Sequence, residues 1–106
     1  MAETVEIWPI GTDAKVLITG VKDDGGAYIN DGTVTGVLKD INDNVVLNGA
    51  EIAFTYMASS NGNYAGIVAH DVDFLEDRDY TLELTIVKGD VQALIKITRT
   101  ARYNAL

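Results

Sequence analysis

The stretch Tyr80-Thr81-Leu82-Glu83-Leu84-Thr85-Ile86-Val87-Lys88-Gly89-Asp90-Val91-Gln92-Ala93-Leu94-Ile95-Lys96-Ile97 decides the fold class. Tyr80, Leu82, Leu84 and Ile86 alternate with Thr81, Glu83, Thr85 and Val87, a period of two that places one apolar row on a single face of an extended strand. Lys88-Gly89-Asp90 interrupts the pattern, and Val91, Ala93, Ile95 and Ile97 resume it, so the stretch reads as a hairpin with one buried and one solvated face.

The same reading extends outward in both directions. Residues 33–39 carry Val34, Gly36 and Leu38 on one face. Asp40-Ile41-Asn42-Asp43-Asn44 then turns the chain into Val45-Val46-Leu47, and Asn48-Gly49 turns it again. Ile52, Phe54 and Tyr56 share a face, and Ser59-Ser60-Asn61-Gly62-Asn63 closes a hairpin onto residues 64–69, since Asn-Gly accepts the positive φ that tight turns need. Nearer the N-terminus, residues 4–8 form an opening strand, Pro9 marks its boundary with the body, and residues 15–21 form the next strand up to Asp23-Asp24-Gly25-Gly26. No segment sustains a helical period. The expectation is one all-β domain over residues 1–106, an antiparallel β-sandwich of about seven strands, with residues 1–9 as an N-terminal strand or arm. Its inner face is predicted from Leu17, Val34, Leu38, Ile52, Phe54, Leu82, Leu84, Ile86, Ala93 and Ile95.

Composition narrows the function classes. The chain has 106 residues, 16 of them acidic and 8 basic, with a pI near 4.3. Such a surface repels phosphate backbones and anionic lipid, so neither nucleic acid nor membrane is an expected partner. Lys96, Arg99 and Arg102, beside Thr98 and Tyr103, read as a solvated strand edge. Cysteine is absent, which removes disulfides and thiolate metal sites and leaves the core to hold the domain. The acidic start Met1-Ala2-Glu3-Thr4-Val5-Glu6 lacks the basic and apolar regions of a signal peptide, so the chain is expected to be a complete product made in the cytoplasm.

Residues with chemical potential do not assemble into a recognisable catalytic motif. A nucleophilic triad would recruit Ser59 or Ser60 with His70 and an aspartate, yet both serines lie in a hairpin turn instead of a strand-to-helix elbow. His70 is the only histidine, and zinc or copper would need an unusual set of carboxylates around it. Gly25-Gly26 lacks the lysine and helix of a phosphate-binding loop. Asp71, Asp73, Glu76, Asp77 and Asp79 read as solvated loop charge. Asp40, Asn42, Asn44, Asn48 and Glu51 occupy offsets 1, 3, 5, 9 and 12 of a calcium loop, but Val45 stands where such a loop needs glycine. The expectation is therefore no enzymatic activity, no cofactor and no metal.

From Val16 onward the order of elements resembles a known pattern. It runs through Asp23-Asp24-Gly25-Gly26, Ile29-Asn30-Asp31-Gly32-Thr33-Val34, Phe54-Thr55-Tyr56-Met57, Gly62-Asn63-Tyr64-Ala65-Gly66 and Leu75-Glu76-Asp77-Arg78-Asp79-Tyr80-Thr81-Leu82. This resembles immunoglobulin-like modules of the transthyretin-like or carboxypeptidase-regulatory-like kind, with Tyr80 placed as a tyrosine corner. The small chain closing on Thr100-Ala101-Arg102 also looks like proteins encoded among the structural genes of tailed phages. That resemblance implies an accessory virion protein of the head, head-tail connector or tail region, made in the host cytoplasm and then carried in the virion. It would bind other virion proteins or itself as a homo-oligomer. The apolar strand Thr4-Val5-Glu6-Ile7-Trp8, set off by Pro9, is either the first strand of its own sheet or a pairing element that extends a neighbour's sheet, with Ile7 and Trp8 then as interface residues. The alternative is a small ligand-binding sandwich for carbohydrate or calcium, working through Trp8, Tyr28, Tyr64 or the acidic loops.

Overall fold

The computed structural model describes residues 6–103, and among these every regular element is a strand. In chain order they are β1 (Ile7–Ile10), β2 (Ala14–Ile18), β3 (Thr33–Lys39), β4 (Ile52–Tyr56), β5 (Tyr64–Val68), β6 (Asp79–Lys88) and β7 (Val91–Tyr103). All seven join one sheet in the order β1-β7-β6-β3-β4-β5-β2. The β6–β7 hairpin is its longest ladder, with Leu82 opposite Ile97 and Leu84 opposite Ile95. Its turn is closed by Gly89 at φ 59°, a conformation that costs glycine little.

Two features depart from an antiparallel sandwich. First, β1 pairs with β7 in parallel, Ile7 opposite Thr100 and Ile10 opposite Tyr103, so the sheet is mixed. Second, β4 pairs with both β3 and β5, which joins all seven strands into one continuous, nearly closed barrel-like sheet instead of two separate layers. Its edges are β1 and β2, consecutive strands joined through residues 11–13. Pro9 lies inside β1, opposite Arg102, and is not the boundary its sequence position suggests. An edge strand tolerates the missing N–H. The opening strand expected over residues 4–8 falls partly outside the described residues.

The core is drawn from alternate positions of the strands. Leu38, Leu82, Leu84, Ile86, Trp8 and Tyr64 have no measurable exposure, and Val16 and Val68 almost none. Each such side chain contributes about 1.5–3 kcal/mol relative to solvent exposure. Val21, Ile29, Val46, Val72 and Phe74 come from the connections and cover the ends of this core. Leu17 is a correction, for it is 53% exposed while Val16 and Ile18 point inward. Three apolar residues in a row hide the phase of β2, and Lys15 fixes it, because period two puts Leu17 on the lysine's face. Val34, Ala93 and Ile95 are half-buried against the core. Val45-Val46-Leu47 forms no strand of its own beyond a single bridge from Val45 to Lys39.

Glycine is required where backbones meet. A Cβ on Gly62, at φ +70°, would lie 2.5 Å from the Val21 carbonyl oxygen. One on Gly66 would lie 2.6 Å from the Ala53 carbonyl oxygen and 2.7 Å from the Phe54 ring. The first locks the β4–β5 hairpin onto the long β2–β3 connection, and the second lets β5 lie close against β4.

Candidate interaction surfaces

Trp8 sits in β1 with its ring at 0% exposure. Its Nε1 donates to the Tyr80 carbonyl at 2.9 Å, and its ring stacks on Phe74 at 6.2 Å between centroids. Phe74 in turn meets the Tyr80 ring edge-on at 4.9 Å. Trp8 is therefore a core anchor in this structure, and of the two sequence-derived interface residues only Ile7 retains exposure. The Tyr80 hydroxyl accepts from the Leu75 amide at 2.8 Å, a contact back to backbone five residues upstream.

Tyr64 is a second buried tie. Its hydroxyl donates to the Ile29 carbonyl at 2.6 Å and accepts from the Gly32 amide at 3.0 Å, fixing the end of the β2–β3 connection. Asn30 Oδ1 accepts from the Gly62 amide beside it. With Trp8 and Tyr64 enclosed, Tyr28 is the one aromatic of that sugar-binding set with an accessible face, and Lys22 Nζ lies 5.0 Å from its centroid.

The basic residues near the C-terminus do not form one patch. β7 alternates, so Arg99 falls on the inner face with Ala93, Ile95, Ile97 and Ala101. Its guanidinium lies 4.7 Å over the Trp8 ring and pairs with Glu6 at 2.8 Å. Arg102 pairs with Asp77 at 3.4 Å, and Lys96 stands opposite Glu83 in the register. The alternation from Ala93 to Ala101 was the available signal for Arg99.

His70 and Asp13 meet just past the end of the β2–β5 ladder, where Ala14 pairs with Val68. One carboxylate oxygen of Asp13 accepts from the His70 amide at 2.7 Å and contacts its Nδ1 at 2.9 Å. The hydrogen bond to Asp13 raises the His70 pKa above its ordinary value, and the same bond lowers that of Asp13. Both side chains are exposed, and Ser59 and Ser60 sit in the β4–β5 turn, where Ser60 Oγ donates to the Met57 carbonyl. Lys39 has its pKa raised, chiefly by its hydrogen bond to Glu83 and further by Asp43.

The sequence offsets of a calcium loop resolve into a turn. Asp40 Oδ1 accepts from the amides of Asn42 and Asn44 at 2.9 and 3.0 Å, and Asn48 Nδ2 donates to the Asp71 carbonyl at 2.9 Å. Among the described residues no group of three or more His, Cys, Asp or Glu side chains is placed to hold a metal ion.

Among the described residues, two surfaces combine a groove with exposed apolar side chains near a sheet edge or at a loop end. The free edges of β1 and β2 face a groove of about 480 Å³ lined by Ile7, Pro9, Ala14 and Leu17 together with Glu6, Thr12, Asp13, Lys15 and Arg99. Exposed Leu17 and Ile67 flank the β2 edge on the outer face. At the other site, the β3–β4 and β5–β6 connections carry Ile41, Leu47 and Leu75 into solvent. Comparison with protein-family models, with curated proteins and with solved structures finds no match for the chain.

Proposed function

We propose that the chain is a non-enzymatic interaction module with an immunoglobulin-like strand plan, acting as an accessory structural protein of a tailed-phage particle. The strand plan is supported by the ladders β2-β5-β4 and β3-β6-β7, the succession that such Greek-key modules use in their two layers. The continuous β3–β4 pairing and the shift of β1 onto β7 are this chain's departures from that plan. The side chains with chemical potential serve the scaffold: Tyr64, Tyr80 and Trp8 tie loops to core, and His70 ties two connections together.

The observation that carries an interaction role is the pair of unpaired strand edges flanking a groove lined by both apolar and charged side chains. An open edge presents unpaired N–H and C=O groups, and a partner's extended segment laid along it gains main-chain hydrogen bonds while exposed Leu17 gives side-chain contact. The phage assignment rests on the sequence resemblance. Co-sedimentation with particles encoded by the same genome tests it, with light scattering on the purified chain as the companion measurement. A chain that stays monomeric and is missing from the particles removes the assignment.

A further inference from the structure

The most exposed large apolar side chain of the described residues lies where the charge is most negative. The β3–β4 connection (residues 40–51) and the β5–β6 connection (residues 69–78) meet at one end of the sheet, joined by the bond from the Asp73 amide to the Leu47 carbonyl at 3.1 Å and by Asn48 to Asp71. Between them runs a groove of about 320 Å³ with Ile41 and Leu75 on its walls and Tyr80 among its lining residues. Ile41 is 84% exposed and Leu75 53%. Residues 40–51 and 69–79 hold Asp40, Asp43, Glu51, Asp71, Asp73, Glu76, Asp77 and Asp79 against Arg78 alone, a net of −7 with His70 neutral, out of −8 for the whole chain.

Taking the chain as an interaction module, we propose that this groove docks a partner protein through an aliphatic side chain flanked by lysine or arginine. Ile41 and Leu75 leave apolar surface in water that the core does not use, and covering it is favourable. The rim chooses the occupant. A field of this sign attracts basic groups and speeds their encounter. A second copy would set one acidic rim against another, and nucleic acid would be repelled for the same reason. The rim carboxylates supply a field and not a cation cage, because each has an oxygen already engaged. Asp40 Oδ1 holds its own turn, Asp77 Oδ1 pairs with Arg102, and Asp79 Oδ1 accepts from Thr100 Oγ1 at 2.6 Å.

The test is a titration of the ¹⁵N-labelled full chain, followed by amide shifts, with a synthetic peptide of alternating lysine and leucine. The controls are a lysine–serine peptide, a glutamate–leucine peptide and calcium chloride alone. Shifts confined to residues 40–51 and 69–80, weakening as salt rises, are expected with the lysine–leucine peptide. The lysine–serine peptide, and the Ile41→Ser/Leu75→Ser double variant with the original peptide, should each bind at least about tenfold more weakly. Equal binding of the lysine–serine peptide, an unchanged double variant, shifts elsewhere or no binding overturns the proposal. So do calcium shifts at these same amides or self-association through the groove. Both substituted side chains are more than half exposed, so the variant should melt like the parent. Particle association separates the two readings: a double variant that still co-sediments normally sinks the groove and spares the particle. A chain that binds the lysine–leucine peptide but never co-sediments does the reverse.

Discussion

Tyr64 and Tyr80 are both buried phenols whose hydroxyls close loops, but they are wired differently. Tyr80 satisfies one amide, that of Leu75, so Tyr80→Phe should cost about 1 kcal/mol, a typical buried hydrogen bond. Tyr64 serves a donor and an acceptor at once, Gly32 N and Ile29 O, and Tyr64→Phe strands both. It should cost about 2–3 kcal/mol, measured as a larger fall in urea midpoint than the Tyr80 variant gives. Equal midpoints would refute this ranking. Trp8→Ala goes further, since it empties a stack with Phe74 and uncovers the inner face of Arg99. About 3–5 kcal/mol is expected there, a large part of the stability of a domain this size.

At the scale of elements, the strand phases of β3, β4 and β6 could be read from sequence because each alternates apolar with polar or small residues. Those phases put Leu38, Phe54 and Leu84 inside. β2 resisted, since Val16-Leu17-Ile18 is apolar throughout and only Lys15 marks its outer side. The place of β1 beside β7 was not legible, because parallel pairing between the first and last strands leaves no local signature in either. The candidate surfaces were half legible: the acidic loops stand in the sequence, whereas the burial of Trp8 and the meeting of His70 with Asp13 depend on contacts across more than fifty residues.

That last contact makes stability depend on pH in a defined sense. A His70 pKa raised in the folded state contributes stability that is complete below the unfolded histidine value and is lost as pH rises through the folded one. The lowered Asp13 pKa contributes stability present above the unfolded aspartate value and lost as pH falls through the folded one. The pair is therefore fully effective between about pH 4 and 6.5, the ordinary values of the two groups. The melting-temperature gap between the parent and His70→Gln should be widest in that window and shrink toward pH 9. A gap independent of pH would show that the ring acts by something other than its titration, and no gap at all would leave only the backbone amide, which the variant keeps. In the β4–β5 hairpin, Gly62→Ala should destabilise by more than about 1 kcal/mol, as both its φ and the nearby Val21 carbonyl oppose a side chain.

For the whole molecule, the free β2 edge is the feature that sets an interaction partner apart from a merely stable domain. Leu17→Lys changes an exposed side chain beside an existing lysine, so the melting temperature should hardly move. If a neighbour's strand lies along β2, the added charge should sharply reduce co-sedimentation with particles, as edge lysines discourage pairing. Normal co-sedimentation of this variant would place the contact elsewhere.

The parallel ladder between β1 and β7 also has a mechanical meaning. The two strands run the same way, so tension applied through the N-terminal end of β1 and the C-terminal end of β7 slides one along the other and loads every bond of the ladder together. Pulling Asp79 and Thr100 apart, which face each other across the antiparallel β6–β7 pair, would instead open that ladder one rung at a time. Handles at Ile7 and Tyr103 should record a higher rupture force in an optical trap than handles at Asp79 and Thr100. A short strand at the sheet's edge would thereby act as a tensile clasp for a protein stretched between neighbours.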